Sequence, residues 1–297
     1  LFAASAVIES IGLLVISLAG AEGTLMAGAI IFGLGAGIVD AIATPIVCAV
    51  YPDRRVRMSN LLHAFYAVGL VLTSLAFLAL VALHWPWQAI LRLFAVLPLP
   101  ISVAAAIVPM PAQSHQGPRR MPTARLLASP VLLLLLAAIA LGAMTEFGAC
   151  SWLPKFVAQT CGGSLVAGGV GLIAFGATML VGRLTVSAVV HSLGPRLLFI
   201  VGCAVCAASL VLAALPVGTW FTILWLAVLG FGVSGFWPTI VGSAGDRFPR
   251  AGATMFALLA AMGNIGAAMG PIFIGAVADA AGLGVAMAML AVAPAAV

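Results

Sequence analysis

Residues 33–55 read GLGAGIVDAIATPIVCAVYPDRR, and residues 230–250 read GFGVSGFWPTIVGSAGDRFPR. Each opens with Gly-x-Gly inside an apolar run, carries a proline in its body (Pro45, Pro238) and closes on an acid–arginine pair (Asp53–Arg54, Asp246–Arg247). A run rich in Gly or Ala follows each copy. The copies begin at residues 33 and 230, a separation of six apolar runs, so both travel in the same direction. Such a parallel repeat is the signature of a membrane bundle built in two halves.

The composition around the repeat fixes the solvent. Of 297 residues, 64% are hydrophobic and 6% charged, where a soluble domain is about one quarter charged. Twelve basic and seven acidic side chains cannot coat a globule of this size, so lipid must replace the polar coat. That excludes a soluble enzyme, a nucleic-acid binder and a disordered chain. A spanning helix needs ~20 apolar residues. The chain lacks the alternating segments of ~10 residues that a β-barrel requires. The expected fold is all-α, a polytopic transmembrane helix bundle.

Clusters of Gly, Pro and charge divide the chain into ten spans, near 1–19, 26–50, 60–83, 87–109, 129–154, 164–186, 196–215, 219–243, 252–277 and 282–297. Spans five to ten make a full half, and spans one to four match its last four. The reading is therefore ten spans of twelve, in two pseudo-symmetric six-helix halves, with the first two helices upstream of Leu1. Residues 1–109 form an N-terminal bundle, 110–128 (MPAQSHQGPRRMPTARLLA) a cytoplasmic linker, and 129–297 a C-terminal bundle. Arg54, Arg55, Arg57, Arg119, Arg120, Arg125, Arg196, Arg247 and Arg250 lie in loops of one side, against Lys155 on the other. This bias places both chain ends in the cytoplasm and the bundle in a plasma (inner) membrane.

The loop after span six reads GRLTVSAVVHSLGPRLLF (182–199). With the repeat, it resembles the Major Facilitator Superfamily over the whole chain. Gly182, Arg183, Gly194 and Arg196 stand at positions of that family's gating motif, with His191 and Ser192 where an acid and its basic neighbour usually occur. Within the superfamily, DAIATPIVCAVYPD (40–53), SNLLHAFYAVG (59–69) and TEFGACSWLPKF (145–156) are similar to the fucose–proton symporter group. Asp40, Thr44 and Pro45 keep that group's spacing, with Thr44 in place of its usual Asn. The resemblance implies secondary active transport of a small polar solute, a sugar in that group, by alternating access. A proton-driven exporter of drugs or metabolites on the same scaffold is the alternative. The chain contains no nucleotide-binding loop, so a proton gradient is the expected drive.

The residues carry their own argument. Asp40 lies near the middle of its span, where a carboxylate costs several kcal/mol unless it is protonated or faces a polar cavity. Gly33, Gly37, Asp40, Thr44 and Cys48 recur at three- and four-residue steps and form one small, polar stripe. Asp40 is the expected proton-coupling acid, against a plain helix–helix hydrogen bond. Glu146 is the second, read as lying past its span's midpoint toward the outer face, where hydration is the alternative. Glu9 also falls within a span. Thr44, His63, Trp237 and Asn264 are expected at the solute: an amide offers donor and acceptor to hydroxyls, and an indole can stack on a sugar ring. The alternatives are interhelical hydrogen bonding for Asn264, packing for Trp237 and loop charges for His63. Arg183 is read at a cytoplasmic helix end, as a gating contact or an orientation-setting charge. Cys203 and Cys206 form a CxxC with no second ligand pair, and the histidines are scattered, so neither metal, cofactor nor catalytic residue is expected. The expected partners are a small solute, a proton and the bilayer, with no nucleic acid and a monomeric state.

In the full-length protein, Asp40→Asn is expected to abolish proton-driven solute uptake while sparing solute exchange. Unchanged proton-driven uptake would remove Asp40 from the coupling.

Overall fold

The structure is a computed structural model describing residues 1–108 and 121–296, so most of the expected linker at 110–128 lies outside the described residues. Every regular element among the described residues is helical. The chain runs α1 (Phe2–Ser17), α2 (Glu22–Val50), α3 (Arg55–Ala82), α4 (Trp87–Val96), α5 (Pro98–Ile107), α6 (Thr123–Leu127) and α7 (Pro130–Thr160). It continues through α8 (Leu165–Leu193), α9 (Pro195–Ala213), α10 (Thr219–Val233), α11 (Phe236–Arg247), α12 (Gly252–Ala281), α13 (Leu283–Met289) and α14 (Val292–Ala295).

Eight apolar stretches are long enough to cross a bilayer, with Trp87–Ile107 and Thr219–Arg247 each counted as one; Phe2–Ser17 and Leu283–Ala295 are shorter. These ten occupy the ten places read from the sequence. Prolines and glycines set the punctuation. Pro98 begins α5, and Pro195 begins α9 just after Gly194, whose φ of 77° suits glycine. Ser164 caps α8 by accepting from the Ala167 N–H at 3.1 Å.

The described residues form two compact units. One takes in Leu1–Ile46 and the described residues from Ala76 to Val108; the other takes in Val47–Leu75 and the described residues from 121 onward. In the first unit, α1 packs on α2 through glycines. A Cβ on Gly28 would lie 2.7 Å from Ile16 Cγ1, and one on Gly35 would lie 2.7 Å from Glu9 Cγ. Gly33 and Gly37 have open space instead, so the close helix contact uses the face opposite the polar stripe. Ser102 donates to the Ala3 carbonyl at 2.8 Å and ties α5 to α1.

In the second unit, α7 and α12 make the broadest contact, and small residues bring their backbones together. A Cβ on Gly266 would meet Ala140 Cα at 2.7 Å, and one on Gly148 would meet Gly270 Cα at 3.3 Å. The Trp152 indole N–H donates to the Pro271 carbonyl at 3.0 Å across the same pair. Phe156, Phe175, Met179, Leu210, Leu226 and Leu229 fill one core; Leu126, Leu132, Ile139, Met255 and Leu259 fill another. Leu134, Val166, Ile200 and Leu224 are more than half exposed, as side chains facing lipid should be.

Because Gly266 faces backbone that cannot yield, Gly266→Val should destabilise the folded protein by about 1–3 kcal/mol, the usual cost of overpacking. The thermal unfolding midpoint in detergent should fall accordingly. Gly33→Val, with nothing within 4 Å of the new Cβ, should fall far less.

Candidate functional site

The second copy of the repeat builds the site. In a helix the carbonyl of residue i accepts from the N–H of residue i+4, and Pro238 has no N–H to offer Ser234. The helix breaks there: α10 ends at Val233 and α11 begins at Phe236. The freed Ser234 carbonyl accepts from Arg183 Nε at 3.2 Å. Gly182 permits the approach, since a Cβ there would lie 2.7 Å from Ser234 Cβ. Pro45 frees the carbonyl of Ala41 by the same arithmetic, directly beside Asp40 in the first copy.

Arg183 is 2% exposed and gathers helices around its guanidinium. Nη1 donates to the His63 carbonyl of α3, Nη2 lies 3.7 Å from Glu146 Oε1 of α7, and the Tyr66 ring centroid lies 5.1 Å from the guanidinium carbon. At roughly 4 Å and an effective dielectric near 20, opposite unit charges attract by about 4 kcal/mol. Desolvation costs several kcal/mol for each ion, so the pair alone does not offset its burial. The two main-chain carbonyls and the Tyr66 face supply the remainder.

Aromatic rings surround the pair. His63 and Trp237 stand 6.4 Å apart and Tyr66 and Phe147 6.4 Å apart, both tilted. Trp237 lies against Gly263 of α12, the neighbour of Asn264, whose own side chain is exposed. Thus Glu146, Arg183, His63 and Trp237 come together, with Asn264 next along α12. Asp40 and Thr44 belong to the other unit, Thr44 buried and Asp40 half-buried. There Glu9 packs on Gly35 and interacts electrostatically with Asp40.

Three sequence expectations change. Helix α8 runs on to Leu193, so Arg183 lies ten residues, ~15 Å, inside its end and is no surface charge. Glu146 lies one residue from the middle of Pro130–Thr160 and is 4% exposed, so it is not a hydrated acid near the outer face. His63 turns its carbonyl to Arg183 and its ring toward Trp237, away from the loop charges. Of the gating-motif residues, Gly182 and Arg183 pack inward, Gly194 makes the α8–α9 turn and Arg196 is exposed.

Tyr66 and Ser234 escaped the sequence reading. Tyr66 is one of two tyrosines and sits one turn after His63; Ser234 precedes Pro238 by four, which was a readable signal. A second layer fastens α3 to α11. Asn60 Nδ2 donates to the Val56 carbonyl at 2.9 Å and lies 3.4 Å from Thr239 Oγ1; Arg55 Nη1 pairs with Asp246 Oδ1 at 3.0 Å. That last pair joins the ends of the two repeat copies. Among the described residues no three His, Cys, Asp or Glu side chains group as metal ligands, and Cys203 and Cys206 are free thiols on α9.

Removing one partner of a buried pair leaves the other charge uncompensated, at a cost of about 3–5 kcal/mol. Glu146→Leu should therefore lower the unfolding midpoint sharply, and adding Arg183→Met should recover more than half of the loss. A double variant as unstable as the single one would show that the pair is not coupled.

Comparison with known proteins agrees with the helical fold. A family model described as Major Facilitator Superfamily matches residues 1–222 and 172–297. No curated protein sequence matches the chain. Among solved structures, a single-residue variant of the E. coli fucose:proton symporter FucP aligns with TM-score 0.76 at 16% identity, over 99% of this chain and 82% of that one. FucP in an outward conformation aligns with TM-score 0.78 at 16% identity, over 99% and 80%. The human organic anion transporter MFSD10 (TETRAN) aligns with TM-score 0.73 at 14% identity, over 99% and 75%. At these identities the likeness is one of fold. The family model covers the chain from end to end, and the protein belongs to the Major Facilitator Superfamily, a family of secondary transporters and not of enzymes.

Proposed function

We propose that the protein is a proton-coupled secondary transporter that moves a small polar solute by alternating access. One observation carries this reading: a mid-span carboxylate, Glu146, is buried against a mid-span guanidinium that is itself anchored to α3 and α10. A charged pair is costly inside a bilayer and marks a solute or ion pathway. Glu146 and Asp40 are the proton-carrying acids. Thr44, His63, Trp237 and Asn264 supply the hydroxyl, imidazole, indole and amide that a polar solute requires. Gly182, Arg183, Gly194 and Arg196 belong to the element that moves between states.

The halves expected at 1–109 and 129–297, joined through 110–128, are the bodies that rock. The arginine-rich loops lie on the cytoplasmic side of an inner membrane, and the protein acts as a monomer. Fucose transport is stated for FucP, and a hydroxylated solute of similar size is the corresponding substrate here.

The test is a proton measurement. In weakly buffered proteoliposomes holding the full-length protein, adding transported solute should raise external pH as protons enter with it. In Glu146→Gln the pH response should fall by at least about tenfold while solute exchange persists, since a group supplying essential proton transfer contributes about 10²–10⁴-fold. A full pH response from Glu146→Gln would exclude this acid from coupling.

A further inference from the structure

We propose that the solute carries a carboxylate, and that Arg183 is its receptor, released to it when Glu146 takes up the proton. The proposal rests on the transport reading above and names the substrate class of the same site.

Arg183 holds its position without help from Glu146. Nε and Nη1 are fixed by the main-chain carbonyls of Ser234 and His63, neutral acceptors that orient the fork but leave its charge. Nη2 stands 3.7 Å from Glu146 Oε1, well beyond the ~2.7–2.9 Å of a charge-assisted hydrogen bond. Glu146 therefore balances the charge of Arg183 without capturing its donors. A planar carboxylate suits the free end of a guanidinium fork. One aromatic ring covers it: Tyr66 stacks on the guanidinium and is 40% exposed itself.

Charge bookkeeping then couples the two ligands. In the resting site Glu146 is a carboxylate and Arg183 a cation, with net charge zero. A proton from the outer water that binds Glu146 alone leaves Arg183 uncompensated, and an anion that binds Arg183 alone leaves two negative groups against one positive. Both half-loaded states bury a net charge; only the empty and the doubly loaded site are neutral. Proton and carboxylate thus bind together, the proton leaves Glu146 to the opposite side when the anion departs, and the transfer is electroneutral. A neutral sugar would relieve none of this.

The groups facing Glu146 support one proton site. Helix α8 brings Arg183 and α9 brings Cys206 to Glu146, Cys150 lies on α7 itself, and α3 brings His63 and Tyr66 to Arg183. Helices α10 and α12 bring no acid or base to this level; Asp279 lies near the end of α12, and Asp246 and Arg247 at the far end of α11.

The experiment uses proteoliposomes holding the full-length protein, a lumenal pH dye and three matched pairs of probes: gluconate with glucitol, glucuronate with glucose, and glycerate with glycerol. At least one carboxylate should acidify the lumen about tenfold faster than its neutral partner, with the rate unchanged by an imposed membrane potential. Arg183→Gln should abolish the response. Glu146→Gln, which mimics the protonated acid, should bind that carboxylate as tightly as or more tightly than the parent, independently of pH, by isothermal titration calorimetry. It should move no protons. Acidification by neutral members alone would overturn the carboxylate assignment and leave the transport reading standing; silence from all six would overturn both. Should Arg183→Gln fail to fold, Glu146→Gln decides, because a purely structural ion pair predicts weaker carboxylate binding there, and weaker binding overturns the proposal. Coupling removed by His63→Gln and kept by Glu146→Gln would also overturn it.

Discussion

A guanidinium cannot stand alone at the depth of Arg183, and the packing of its unit follows from what must be brought to it. Low dielectric makes an uncompensated charge expensive and a well-placed carbonyl correspondingly valuable. Helices α3, α7 and α10 each deliver one partner: the His63 carbonyl, the Glu146 carboxylate and the Ser234 carbonyl. None of these is a plain apolar contact, which in lipid would provide little drive for helices to associate.

Delivery depends on two residues that lack something. Pro238 lacks an N–H, so a carbonyl is available in a segment where helices normally satisfy every one. Gly182 lacks a side chain, so α8 comes near enough to α10 to use it. The same economy recurs where α7 meets α12 over Gly148, Gly266 and Gly270. Chemistry and packing are therefore set by the same positions, and the site is as rigid as the glycine contacts that frame it.

Much of this was legible in the chain itself. Apolarity alone locates the eight candidate spans and the two shorter apolar helices, and the quoted repeat already contains Pro238 and Asp246. What misled was the treatment of charge as punctuation. Arg183 and the later VSAVVHSL stretch looked like the approach to a loop, whereas a buried arginine with partners continues a helix as well as leucine does. Glu146 was found as a candidate, but its partner was not, since residues 146 and 183 meet only through tertiary packing. Tyr66 likewise carries no local signal that its ring covers a guanidinium.

The Arg55–Asp246 pair, at the far end of α11 from the break, is of another kind. Its side chains are 20% and 53% exposed, which places it among ion pairs worth under about 1 kcal/mol and weakened by salt. Breaking it costs little more than thermal energy, whereas parting Arg183 from all its partners costs several times as much. Helix α3 is consequently stitched to its neighbours with two strengths of thread, a firm one to α8 through Arg183 and a loose one to α11 through Arg55. Any motion that parts them begins at the loose end, and ionic strength tunes how readily it begins.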